Sequence, residues 1–253
     1  MKMIALLVLA ILASELAFCQ VAYLQYRVVS ADHVEEYIEK ETKSWSKVAQ
    51  AAIDKGDLAG WSIWRKLSVT EAGAPNFLLV NTYESIEKAQ PMKVWAGENL
   101  QNLGVPFEEA QADKIAPIAF DYWMQVEDSI DGDFPYVIVN YAMPLNLGGF
   151  IEDNKTLWKP FFESYIESGE GGMQGWGVMS VLFPRGSEAR FSALTWDGFD
   201  SFANVMNYLR YTSEPPPPAL EELLANSKLD EFLPNGFKYS IVYAKVMSLS
   251  DDD

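Results

Sequence analysis

The chain carries one pattern twice, and that repeat constrains the fold more than any other feature. One run begins at Tyr23 (YLQYRVV) and a second at Tyr136 (YVIVNYAM). Each leads into a helical stretch with an aromatic-Ile-Glu signature and a later Trp: Tyr37-Ile38-Glu39 with Trp45, then Phe150-Ile151-Glu152 with Trp158. A Gly-Trp pair opens the next strand in both copies, Gly60-Trp61 and Gly175-Trp176. Thr82-Tyr83-Glu84 and Thr195-Trp196-Asp197 close a further strand. Self-similarity of this kind predicts two alike units rather than one irregular domain. The 253 residues accommodate two units of roughly 110 residues, each able to bury a core.

Hydrophobic period predicts the elements of each unit. Residues 22–29 alternate as a strand. Val34, Ile38, Trp45, Val48 and Ala52 lie on one helical stripe that Gly56 ends. Strands follow near 61–67 and 77–83, a helix over about 85–102, and a strand over 119–126. The second copy predicts strands at 136–142, 174–183, 189–196 and 238–247, with helices at 149–167 and 199–209. A short helix over 219–227 follows the stiff run Pro215-Pro216-Pro217-Pro218. The order is βαββαβ twice, an α+β arrangement of ferredoxin-like units. The expected boundaries are a signal peptide at 1–19, a first unit at 20–128, a linker at 129–134 and a second unit at 135–250.

Two such units in one chain resemble the dimeric α+β barrel superfamily. NIPSNAP-like and antibiotic-biosynthesis-monooxygenase-like proteins are similar in layout. The resemblance implies two tandem ferredoxin-like units packed sheet to sheet as an intramolecular barrel, with a pocket between a sheet and its helices. It also implies cofactor-free acid–base or oxygen chemistry for any reaction. Haem-using chlorite dismutase-like members carry a proximal His in the C-terminal unit. This chain has one His, His33, in its N-terminal part. The sequence therefore gives no expectation of a cofactor, although a Tyr or Met haem ligand stays open. A single His also rules out a His-rich metal site within the chain.

Thirty-six acids against 19 bases give a formal charge of −17. That field disfavours nucleic acid and anionic membrane surfaces as partners. Lys2 followed by the apolar run 4–13 reads as an export signal, too short for a stable membrane span. Cleavage after Cys19 would leave Gln20 first, and the rival is a lipoprotein with Cys19 acylated. The expected location is periplasmic or extracellular. Cys19 is the only cysteine, so no disulfide framework is available.

Candidate chemistry centres on polar residues at positions that should face inward. Glu41 falls on the buried stripe of the first helix, and Asn154 holds the matching place in the second copy. A desolvated Glu41 could serve as a base. His33, at the start of the helix beside Asp32, is the second catalytic candidate. Arg65, on the Trp61 and Ile63 face by period two, could hold a carboxylate or enolate. Arg27 invites the same reading and aligns with Asn140. Trp45, Trp61 and Tyr83 would supply an aromatic lining. Each has a structural alternative: a rotated stripe for Glu41, an exposed helix start for His33, core packing for the aromatics. The expected partner is a small apolar or aromatic molecule, and a homodimer is compatible with the fold. The alternative is a non-catalytic binding or interaction protein of the cell envelope with filled clefts. His33, Glu41 and Arg65 all lie in the first copy, so the site is expected in the N-terminal half.

Overall fold

The computed structural model describes residues 20–251; the expected signal sequence lies outside the described residues. Eight strands alternate with helices in the order the repeat predicts. The first half contains β1 (Val21–Arg27), β2 (Gly60–Lys66), β3 (Phe77–Tyr83) and β4 (Ile118–Ile130). Its long helix α1 runs through Val34–Lys40, a π-helical turn Glu41–Trp45, and Ser46–Ile53. Short helices α2 (Pro91–Val94), α3 (Gly97–Asn102) and α4 (Phe107–Ala110) follow β3. The second half contains β5 (Tyr136–Ala142), β6 (Met173–Phe183), β7 (Ala193–Phe199) and β8 (Tyr239–Ser250). Its long helix α5 runs through Leu147–Asp153, a π-helical turn Asn154–Trp158, and Lys159–Ser168. Helices α6 (Phe202–Leu209), α7 (Pro218–Asn226) and α8 (Leu229–Phe232) complete it.

The strands close into one antiparallel barrel in the order β1-β3-β2-β8-β5-β7-β6-β4. The order β4-β1-β3-β2 of the first half recurs as β8-β5-β7-β6 in the second. The two sheets do not merely face each other. They join edge to edge where β2 pairs β8 and β4 pairs β6, which leaves no free strand edge. Strand alternation then sorts the side chains. Ala22, Leu24 and Tyr26 of β1 point into the barrel, where they meet Val137, Val139, Tyr141, Met179, Val181 and Tyr243 of the second half. An eight-stranded barrel has an interior that side chains can fill, and this shared core ties the halves together. The outer faces pack under the helices in separate cores, around Phe77, Trp61 and Tyr37 in one half and around Phe150, Trp176 and Phe199 in the other.

Several elements differ from the sequence reading. The helix expected over 85–102 is two short helices, α2 and α3, and α4 follows beyond that range. Pro91 and Pro106 lack the amide a helix interior needs, and Gly104 adopts a positive φ of 72°. β4 continues through Ile130, so it occupies the first part of the expected linker. β7 starts at Ala193, later than the expected 189, and α6 starts at Phe202, after Ser201 accepts a capping bond from Asn204 N at 3.3 Å.

The Thr-aromatic-acid repeat is out of register. Trp61 pairs with Asn81, whereas Trp176 pairs with Asp197. Asn81, not Glu84, is therefore the counterpart of Asp197. The three-residue offset, being odd, hides a change of face: Tyr83 matches Phe199 on the helix side, while Trp196 packs against the barrel interior. The same pairings match Gln25 to Asn140 and Arg27 to Ala142, correcting the alignment of Arg27 with Asn140.

Candidate functional site

The outer face of the first half opens into a cavity of about 570 Å³ between the sheet and its helices. β1 supplies Tyr23, Gln25 and Arg27 at alternate positions, β3 supplies Leu79 and Asn81, and β2 and β4 supply Trp61 and Trp123. Helix α1 contributes Glu41 and Trp45. The broken α2–α4 segment forms the opposite wall with Met92, Trp95, Phe107 and Asp113.

Helix geometry explains why Glu41 reaches this space. Glu41 is the first residue of the π turn, a local widening that re-aims side chains and recurs at functional sites. Thr42 and Ser46 hydroxyls donate back to the Ile38 and Thr42 carbonyls at 2.7 and 2.6 Å. The Glu41 side chain is only 4% exposed. Burial raises its pKa from 4.5 to about 7, opposed by the positive charge of Arg27. The Tyr37 hydroxyl also favours the carboxylate, although it makes no hydrogen bond of good geometry.

Arg27 is held in place from two sides. Its Nη1 donates to the Ala116 carbonyl at 2.9 Å and its Nη2 to Gln25 Oε1 at 3.0 Å. Asp113 Oδ1 stands 3.6 Å from Nη1 but is itself largely exposed. The Arg27 Nε is buried without a partner, so one donor of the guanidinium fork is uncommitted. Aromatic rings complete the lining. Trp45 and Trp61 lie 5.9 and 6.5 Å from Trp95 between ring centroids. Tyr23 stacks on Trp123 at 4.8 Å, and its hydroxyl donates to Asp121 at 2.6 Å. Trp45 Nε1 donates to the Ala110 carbonyl at 3.0 Å and fastens α4 to α1.

Of the residues singled out from sequence, Arg27, Glu41, Trp45 and Trp61 come together here. Tyr83 is fully buried and stacks on Trp123 at 5.7 Å, behind the cavity surface. His33 stays outside. It sits exposed at the start of α1, with Nδ1 3.1 Å from Glu36 Oε2. Arg65 is exposed as well: it keeps the Trp61 and Ile63 face, opposite Phe77, but its place near the end of β2 leaves it outside the cleft lining. Sequence reasoning missed Gln25 and Tyr23, although period two on β1 puts both beside Arg27. Trp95, Phe107 and Asp113 carried no periodic signal, because their segment is not one helix.

The matching face of the second half is packed. Asn154 occupies the same first position of a π turn as Glu41, is buried, and donates to the Phe150 carbonyl at 2.8 Å. Phe150, Phe162, Trp176 and Phe199 fill the space around it. Asp153, one residue earlier, accepts from Ser227 Oγ at 2.6 Å and Lys228 N at 3.1 Å, pinning the loop before α8 across the helix. A buried acid does occur on the sheet. Asp197 accepts from Asn140 Nδ2 at 2.8 Å, and Asn140 Oδ1 accepts from Ser240 Oγ at 2.6 Å. Burial raises the Asp197 pKa from 3.8 to about 7. Acid and amide have thus exchanged places between the halves: the helix carries Glu41 and the sheet Asn81 in one, and the helix carries Asn154 and the sheet Asp197 in the other.

Among the described residues no group of three or more His, Cys, Asp or Glu is placed to hold a metal ion. No described helix is long and apolar enough to cross a membrane. Comparison with known proteins places the fold but no family. No family model matches the sequence, and no curated protein matches it. A candidate monooxygenase from Lactobacillus acidophilus NCFM superposes with a TM-score of 0.57 at 10% identity, over 92% of this chain and 96% of that one. A candidate monooxygenase from Fusobacterium nucleatum subsp. nucleatum ATCC 25586 gives 0.56 at 11% identity, over 93% and 96%. An anthrone oxidase-like protein gives 0.50 at 16% identity, over 92% and 94%. At such identities the likeness is one of fold: a mixed α+β fold built on a closed antiparallel barrel.

Proposed function

We propose that the N-terminal cleft binds a small apolar or aromatic molecule and that the Glu41 carboxylate removes a proton from it. The observation that carries this reading is a buried carboxyl, raised to about 7, opening onto an aromatic cavity of about 570 Å³. That volume suits a ring system of two or three fused rings and falls within the usual range of ligand sites. A base with its pKa near neutrality balances proton affinity against availability. The ligand is then a phenol or a carbonyl compound with an acidic C–H. Its proton passes to Glu41, and the oxyanion left behind is stabilised by the Arg27 guanidinium. Where the product is a carbanion, dioxygen is the natural co-substrate. The candidate monooxygenases and the anthrone oxidase-like protein that share the fold support that choice.

Two further readings belong with this one. The repeated strand order and the paired π turns support a tandem duplication of a ferredoxin-like unit, of which one copy kept an open cleft. The basic, apolar and Cys19-bounded N-terminal sequence supports export.

Four tryptophans line the cleft, so intrinsic fluorescence reports occupancy. Titration with anthrone and a series of phenols is expected to quench that emission saturably. Arg27→Met should weaken binding of the ionisable ligands about tenfold, in keeping with loss of one charge-assisted contact. Quenching that never saturates across the series, or that ignores Arg27→Met, would remove the cleft from consideration. Saturable binding with no change in any ligand would leave a binding protein rather than an enzyme.

A further inference from the structure

One end of the barrel holds a second cluster of polar groups that the cleft does not use. β1 brings Tyr26 here one residue before its end, β2 ends with Lys66, β5 contributes Tyr141, and β8 contributes Tyr243. These four residues line a cavity of about 100 Å³ together with Phe120, Phe191 and the turn that joins β2 to β3. All four are buried, Tyr26 to 2% exposure.

The hydrogen-bond inventory of this cavity is one-sided. The Tyr26 hydroxyl is buried and makes no hydrogen bond of good geometry, although the Tyr141 hydroxyl interacts with it. Tyr141 and Tyr243 share a single contact of 3.0 Å between their hydroxyls, so one of those two protons has nowhere to go within the pair. Lys66 Nζ makes one hydrogen bond, to Thr70 Oγ1 at 3.0 Å, although an ammonium has three donors. Spare donors therefore converge on one space. Arg190 stands at the rim with its guanidinium 4.5 Å over the Phe120 ring, and adds positive charge. Glu71, also at the rim, is exposed and is the one carboxylate lining the cavity. An unmet buried hydroxyl costs free energy, and the one on Tyr26 faces this void.

We infer that this end of the barrel is a binding site for a small monocarboxylate, whose oxygens accept from Tyr26, the Tyr141–Tyr243 pair and Lys66. An anion matches donors that have no acceptor of their own, and charge-assisted bonds to Lys66 supply the attraction. The size follows from the space. About 100 Å³ holds roughly three waters by volume, the scale of a two- to four-carbon acid. Phe120 and Phe191 give the short alkyl tail an apolar surface. The site is separate from the Glu41 cleft, which lies outside the sheet, and it does not depend on the chemistry proposed there.

The test is a propionate titration of protein carrying 13C-labelled tyrosine rings, followed by NMR. Saturable shifts are expected at Tyr26, Tyr141 and Tyr243, with benzoate too large to produce them. Lys66→Met should abolish the shifts at Tyr141 and Tyr243. Tyr26→Phe should weaken propionate about tenfold with little effect on the stability of the ligand-free protein, since its hydroxyl makes no hydrogen bond of good geometry there. That variant keeps the ring stack on Phe120, so it reads the site even if Lys66→Met fails to fold. Shifts that do not saturate by tens of millimolar, that appear at Tyr23 or Tyr83 instead, or that persist unchanged in Tyr26→Phe would overturn the inference.

Discussion

Replacing Glu41 with Gln is expected to slow proton removal from a bound ligand by about 100- to 10,000-fold, the usual contribution of a positioned general base. The amide keeps the shape of the side chain and its place at the start of the π turn, so ligand binding should change little. Anthrone offers a suitable readout, because deuterium uptake at its methylene follows proton abstraction alone and needs no knowledge of the later steps. In the native protein the rate should rise with pH and level off above about 7, because the carboxyl works as a base only when ionised. Arg27 gives the expected direction of a second shift. Its charge lowers the Glu41 pKa, so Arg27→Met should move the rising limb to higher pH. A Glu41→Gln protein that exchanges deuterium at the native rate, with the same pH profile, would exclude Glu41 as the base.

The second large effect concerns stability and lies in the other half of the barrel. Asp197 has a folded pKa of about 7 against an ordinary 3.8, so the folded chain holds a proton that the unfolded chain releases. Stability from this group is complete at acid pH, falls as pH rises through that interval, and is lost above about 7. The shift corresponds to an ionisation penalty of about 4 kcal/mol. Asp197→Asn keeps a carbonyl oxygen for Asn140 to donate to and abolishes the charge. The variant is expected to be about 2–4 kcal/mol more stable than the native protein in mildly alkaline solution, with little difference at acid pH. Urea unfolding at the two conditions measures it. Glu41 titrates in the same direction, so the native protein should lose stability from both groups as pH rises. Equal urea midpoints for native protein and variant in alkaline solution would show that Asp197 is not buried as described.

Much of this architecture was legible in the residues, and the gaps have physical causes. The duplicated pattern announced two like halves, and alternation in β1 and β5 fixed which face each residue takes. It could not show that the sheets join at β2–β8 and β4–β6, because edge pairing depends on twist and length rather than on pattern. The site was half legible. Glu41 stood out because a charge broke an apolar stripe, and Arg27, Trp45 and Trp61 followed from their faces. The π turn that aims Glu41 has no sequence signature. Arg65 obeyed period two but stands at the exposed end of β2, and His33 kept outside the cleft beside Glu36. The wall made by Trp95, Phe107 and Asp113 was invisible, because α2–α4 have the composition of a helix without its continuity. The apparent match of Thr82-Tyr83-Glu84 with Thr195-Trp196-Asp197 was a likeness of letters, offset by three residues from the ladder.

The most direct measurement is an NMR titration of the Glu41 carboxyl, with 13C-labelled glutamate in the native protein and in Glu41→Gln to identify the signal. One carboxyl, missing from the variant, should titrate with a midpoint near 7 and should move when an aromatic ligand fills the cleft. A midpoint near the ordinary 4.5, unmoved by any ligand, would mean that Glu41 is solvated and that the cleft holds no base.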